Sequence, residues 1–176
     1  MAAGALGALM YTFNRMDDRG ALHTEELNAP PRYTLSDAEL TRFDGDGDAV
    51  LRGTAASVQY YDDDSARATA LAVDLIENDQ VIWHITAPSG MQPAHDRRML
   101  LDSAVNATGA WPDTHEPLTV NTSQMWIDAD AHTLQTGETV TANSKTRRAT
   151  GRGMLADWSA QWLRLLHDVK MRYEKS

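Results

Sequence analysis

Val81-Ile82-Trp83-His84-Ile85-Thr86-Ala87, closed by Pro88-Ser89-Gly90, is the stretch that decides the fold class. Val81, Trp83, Ile85 and Ala87 alternate with Ile82, His84 and Thr86, so the larger apolar groups fall mostly on one side with a period of two. That period belongs to a strand with one buried face, and the Pro-Ser-Gly cluster punctuates it as a turn. The pattern continues outward in both directions. Downstream, Met99, Leu101 and Val105 continue such a face, as do Met125 and Ile127 and then Leu134. Upstream, Ala38 to Phe43 runs into Asp44-Gly45-Asp46-Gly47-Asp48, and Ala49 to Tyr61 follows. Asp-Gly pairs supply the positive φ of tight hairpin turns. Further turn clusters stand at Asp62 to Asp64, Glu77 to Asp79, Pro112-Asp113 and Asp128 to Asp130. Short strands punctuated this regularly predict an all-β sandwich or open barrel.

A weak internal repeat agrees with stacked, similar units. Ile85-Thr86-Ala87 and Val120-Asn121-Thr122 lie 35 positions apart, and at the same offset Met99 matches Leu134 and Val105 matches Val140. The C-terminal stretch is open to two readings. Trp158, Trp162, Leu165, Val169 and Tyr173 step by three or four, as on an amphipathic helix. From Leu163 onward, however, Leu163, Leu165, Val169, Met171 and Tyr173 alternate with Arg164, Asp168, Lys170 and Arg172, as on a strand.

The chain has 176 residues, a net charge of −9 and no cysteine. The length suits one domain with a core of its own. The missing cysteines exclude a thiol nucleophile, a thiolate-bound zinc and a disulfide framework. The acidic balance argues against nucleic acid, which is met by a basic face. Residues 1–16 open with the uncharged run Met1 to Phe13, shorter than the ~20 apolar residues of a spanning helix. A buried core helix and the outer half of a membrane anchor are the two readings. The small residues Ala3, Gly4, Gly7 and Ala8 favour the anchor, since they allow helices to pack closely in a membrane. Residues 17–32 are polar and end in Ala29-Pro30-Pro31-Arg32, a linker, so the domain proper is expected over 33–176.

The chemical motifs find no catalytic constellation. Asp44 to Asp48 opens like a calcium-binding loop, but the sixth and twelfth loop positions, which need Gly and Glu, are Ala49 and Ala55. The six histidines include no His-Glu-x-x-His and no His-x-His pair, so neither a metal nor any other cofactor is expected. Ser89 lacks the Gly-x-Ser-x-Gly setting of a nucleophile. Gly151-x-Gly153 lacks the third glycine and the Lys-Ser/Thr of a phosphate loop. The expectation is therefore a protein that binds rather than catalyses.

An ordered set of segments resembles the LptC family, the C component of the lipopolysaccharide transport bridge. It begins with Tyr33-Thr34-Leu35, Leu40-Thr41-Arg42-Phe43 with its Asp-Gly turn, Ala55, and Val58-Gln59-Tyr60-Tyr61-Asp62-Asp63. It continues through Trp83 to Gly90, Leu118 to Thr122, Thr136 to Val140 and Thr150-Gly151-Arg152-Gly153-Met154, and ends in Val169-Lys170-Met171-Arg172-Tyr173. The likeness runs from Tyr33 to the C-terminus.

The resemblance implies a single-span inner-membrane protein with a periplasmic domain folded as an open, twisted β-jellyroll. It implies a groove that takes lipopolysaccharide from the LptB, LptF and LptG extractor and passes it to LptA. On that basis Leu163 to Tyr173 is a strand. The lipopolysaccharide-facing inner face is assigned to Leu71, Val73, Leu75, Trp83, Ile85, Met99, Leu101, Val105, Val120, Met125, Ile127, Leu134 and Val140. The edge offered to LptA is assigned to Leu163, Leu165, Val169, Met171 and Tyr173, and the edge offered to LptF to Tyr33, Leu35, Leu40 and Phe43. The competing function is a periplasmic β-sandwich that binds carbohydrate, for which Trp111 is the one loop tryptophan that suits a sugar platform.

Overall fold

A computed structural model describes residues 30–173. The expected anchor at residues 1–16 and nearly all of the linker at 17–32 lie outside the described residues. Nine strands follow one another: β1 (Tyr33–Phe43), β2 (Ala49–Tyr60), β3 (Ala66–Glu77), β4 (Gln80–Gln92), β5 (Met99–Ala110), β6 (Pro117–Asp128), β7 (Thr133–Asn143), β8 (Arg147–Asp157) and β9 (Trp162–Tyr173). Each pairs antiparallel with the next in a single sheet whose spatial order is the sequence order, and β1 does not pair with β9. The sheet is open. The C-terminal stretch is a strand, which decides between the two periodicities in favour of two. Among the described residues no helix is long and apolar enough to cross a membrane.

Turn chemistry sets the hairpins. The Asp44 carboxylate accepts the backbone N–H groups of Asp46 at 3.0 Å and Asp48 at 2.9 Å, and Gly47 takes φ +95, so the acidic run is the β1–β2 turn. Those backbone donors, Asp48 first, hold the Asp44 carboxyl below the usual carboxylate range.

A row of irregular positions crosses the sheet at mid-strand. Asp37, Ala56 and Ala70 lack partners in ladders that are otherwise regular on either side. From β4 onward the register slips by a residue at the same level: between Thr86 and Ser89, Asp102 and Val105, Asn121 and Trp126, Thr136 and Thr139, and Thr150 and Arg152. Asp37, Ala70, Ser103, Ala104, Gly153 and Asp168 all take positive φ along this row. Outside glycine that backbone costs on the order of 1–3 kcal/mol per residue and persists only where the surroundings enforce it. A bulge bends and twists its strand. A bend at one level in every strand lets a single sheet roll over on itself.

The seam also changes which residues face inward. On β4 the inward set is Trp83, Ile85 and Ala87 before the break and Gly90 after it; on β6 it is Leu118, Val120 and Thr122, then Met125 and Ile127. A separate bulge between Leu75 and Ile76 sets Trp83 opposite Leu75 but Val81 opposite Ile76. Val81 is thereby turned out and is 54% exposed, which corrects its expected place on the buried face of this strand. The 35-residue repeat corresponds to inward positions two strands apart: Ile85 and Val120, Val105 and Val140 are all buried.

Candidate functional site

The inner face of the rolled sheet is continuous and apolar. β3 contributes Leu71, Val73 and Leu75, paired with Ala87, Ile85 and Trp83 of β4. β5 contributes Met99, Leu101 and Val105, and β6 contributes Val120, Met125 and Ile127, with Met99 opposite Ile127 and Leu101 opposite Met125. Leu134 pairs with Ile127, and Val140 lies farther along β7. All thirteen assigned residues therefore come together on one face; twelve are buried, and Met99 is half-buried and packs on the others.

Sequence periodicity missed part of this face. Leu51, Ala107, Leu118, Ala142, Ala149, Met154 and Ala156 belong to it. Leu118 with Val120 had a signal, alternation with Thr119 and Asn121, whereas the pattern at Met154 and Ala156 is hidden by apolar Leu155 between them. The small residues gave none. Two threonines, Thr122 and Thr136, are buried on the same face next to the seam, their hydroxyls 3.5 Å apart. Gly109 is required by its neighbour: a Cβ there would lie 2.7 Å from the Trp83 indole, which covers the glycine.

The roll is packed shut along its middle. Ile85, Leu101, Val120, Met125, Leu134 and Val140 are 0% exposed. A hollow of about 360 Å³ lies on the seam, lined by Ala104, Val105, Asn121, Thr122 and Ser123. A more polar one of about 350 Å³ lies where the β1–β2 and β3–β4 turns, with Asp44, Asp48 and Asp79, meet His132 and Ser159. At that mouth Arg42 of β1 reaches across the roll. Its guanidinium lies 3.0 Å from the Asp130 carboxylate in the β6–β7 turn and donates to the Arg97 carbonyl oxygen at 3.0 Å. Arg97 binds the other oxygen of Asp130, also at 3.0 Å.

Both edges leave apolar groups uncovered. On β1, Leu35 is half-buried, Leu40 is 41% exposed and Phe43 60%. Tyr33 stacks on Tyr60 at 4.8 Å, and burial pushes the Tyr60 phenol above its ordinary value. On β9, Leu163 and Leu165 are half-buried against the core, whereas Val169, Met171 and Tyr173 are exposed. Trp111, the tryptophan nominated for sugar binding, is buried in the β5–β6 turn with the Arg147 guanidinium 5.3 Å from its ring, so it offers no platform. Arg147 is itself held by Asp113 at 2.8 Å, a contact that keeps that carboxyl below the usual range. His84, expected on the polar side, is exposed there and pairs with Asp74 at 2.6 Å.

An apolar face that is sealed in the middle and uncovered at both ends is suited to holding an apolar cargo and to joining other sheets. A family model described as LptC, lipopolysaccharide-assembly, LptC-related, matches residues 1–174. No curated protein matches the chain.

Proposed function

The chain belongs to the LptC family of lipopolysaccharide-assembly proteins, and on that premise we propose that it is a non-catalytic bridge for lipopolysaccharide. It receives the lipid from the LptB, LptF and LptG extractor at the inner membrane and passes it to LptA. Residues 1–16 anchor it in that membrane, 17–32 link the anchor to the sheet, and 33–176 form the periplasmic domain. The acyl chains lie along the inner face, between the layers of the roll. The observation that carries this reading is one apolar face running from β2 to β9 in a sheet whose two edge strands each pair on one side only.

The energetics suit transfer rather than storage. Burying apolar surface is worth roughly 25 cal/mol per Å². Acyl chains that enter a packed roll replace side-chain contacts with lipid contacts, so the net gain is much smaller than the area they cover. Cargo is then kept from water without being held tightly. The edges supply direction: β1 receives the LptF sheet through Tyr33, Leu35, Leu40 and Phe43, and β9 offers Leu163, Leu165, Val169, Met171 and Tyr173 to LptA. Unpaired N–H and C=O groups on an edge strand are satisfied by another strand, which also extends the apolar face without a gap.

Photocrosslinking tests the reading. A photoreactive residue at half-buried Met99, or at Val105 beside the seam hollow, should crosslink to lipopolysaccharide in cells. One at His84, on the outer face, should not. Crosslinks from His84 alone would put the lipid outside the roll and refute the proposal.

A further inference from the structure

The two open edges of this sheet carry opposite charge. The chain has a net charge of −9, yet Arg148, Arg152, Arg164, Lys170 and Arg172 gather on β8 and β9. The register puts them on the outer face. Ala149 pairs with Met171 and is buried on the inner one, so the adjacent pair, Arg148 opposite Arg172, points outward, as does Lys170 opposite Thr150. Arg164 lies outward between Leu163 and Leu165, which pack on the core. All five cations are exposed, and none joins an ion pair among the described residues. Two like charges directly opposite destabilise an antiparallel pair, so the Arg148–Arg172 pairing is unfavourable in the chain alone. At the far edge the sign reverses: Asp37 and Glu39 on β1 continue into Asp44, Asp46 and Asp48 of the turn.

A strand laid along β9 meets two rows at once. Its inward side chains lie beside Leu165, Val169 and Met171, and its outward ones beside Arg164, Lys170 and Arg172, a row with one acidic residue, Asp168, at the positive-φ break. We propose that the strand which adds to β9 comes from a partner protein whose edge strand alternates apolar residues inward with Asp or Glu outward. This rests on strand addition at β9, proposed above, and adds the partner's chemistry to it. Opposite charges across a strand pair are mutually stabilising, and a cationic stripe speeds the approach of an acidic edge while slowing that of a basic one. The β1 edge of a second copy has a related pattern, and an anionic bilayer would also meet the stripe; both are outcomes that the test separates.

The test uses the full chain in neutral detergent and two strand-length peptides, one alternating Val with Glu and the other Val with Lys. At low salt the Glu peptide should bind roughly tenfold more tightly than the Lys peptide, and the gap should close at high salt, where exposed charges are screened. In the combined Arg164→Glu, Lys170→Glu, Arg172→Glu variant the preference should invert, a gain of Lys-peptide binding that a misfolded variant does not give. Equal binding of both peptides overturns the charge selectivity but leaves strand addition standing. Binding of neither overturns strand addition at β9 and the selectivity with it. Salt-sensitive self-association abolished by Glu39→Lys assigns the edge to a second copy. An unchanged peptide preference in the variant, together with loss of binding to phosphatidylglycerol vesicles, assigns the stripe to a membrane. Either result overturns the proposal.

Discussion

The middle strands and the two edge strands use the same side chains to opposite effect. Leu101, Val140 and Met125 on β5 to β7 are 0% exposed, whereas Leu40 on β1 and Val169 and Met171 on β9 are between 41% and 48% exposed. All six face the same inner surface. What differs is whether a strand lies on both sides and a second layer lies opposite. The middle of the roll is finished by its own chain, and the ends are left unfinished among the described residues. One apolar pattern thus serves as core in one place and stays exposed in the other, which no count of apolar residues distinguishes.

The largest effect that tests this contrast is on stability. Truncating a fully buried leucine costs about 2–5 kcal/mol, through lost burial and the cavity left behind. Leu134→Ala and Leu101→Ala should fall in that range by chemical denaturation. Leu40→Ala and Val169→Ala should change stability by no more than about 1 kcal/mol, as expected of sites that bury little. Comparable losses at Leu40 and Leu134 would show that the edge is already covered in the isolated chain and would break the comparison.

The next effect is on binding. Proline at Met171 removes an N–H and disrupts an edge strand. In Met171→Pro the β signal in circular dichroism should persist while pull-down of LptA is lost, whereas Lys170→Ala, which keeps the N–H and removes one outward cation, should keep the fold and weaken pull-down only slightly. Retained binding with a retained fold would show that β9 is not the docking edge.

The difference between middle and edge was partly legible in the sequence, for physical reasons. Alternation at Trp83, Ile85 and Ala87 shows a half-buried strand because the side-chain period of a strand is two. Even so, the pattern placed Val81 on the buried side, since a bulge one residue away carries no residue code of its own. The C-terminal strand fitted helical and strand periods alike; the resemblance implied a strand, and the ladder with β8 shows one. The seam was the least legible feature. Gly153 and Pro88 hint at it, but Ala70, Ser103 and Ala104 hold positive φ with side chains that give no warning. The alignment of breaks across nine strands is a property of register, which sets the pairing between segments rather than the composition of any one. The exposed edges, too, were assigned by resemblance: periodicity marked Leu134, whereas Leu40 entered only with the family likeness.

The smallest effect separates the two edges from each other. Among the described residues β9 pairs only with β8 and joins no ion pair, whereas β1 is tied across the mouth of the roll through Arg42, Asp130 and Arg97. The Asp130 side chain is 50% exposed and that of Arg97 75%, so each contact is a surface ion pair of at most about 1 kcal/mol. Two guanidinium groups sharing one carboxylate, with a backbone acceptor added, place this cluster at the upper end of that range. Asp130→Asn should therefore lower global stability by about 1 kcal/mol or less at low salt, and the loss should shrink in molar salt, where the screening length falls to about 3 Å. The local signature is sharper. Amide exchange should quicken along β1, from Ala38 to Phe43, because the tie that holds this strand over the far layer is gone, while β9 should be unchanged. Faster exchange at both edges would mean that Asp130 supports the whole roll rather than one end. No change at either would mean that β1 is held by its pairing with β2 alone, and the two edges would then be equivalent.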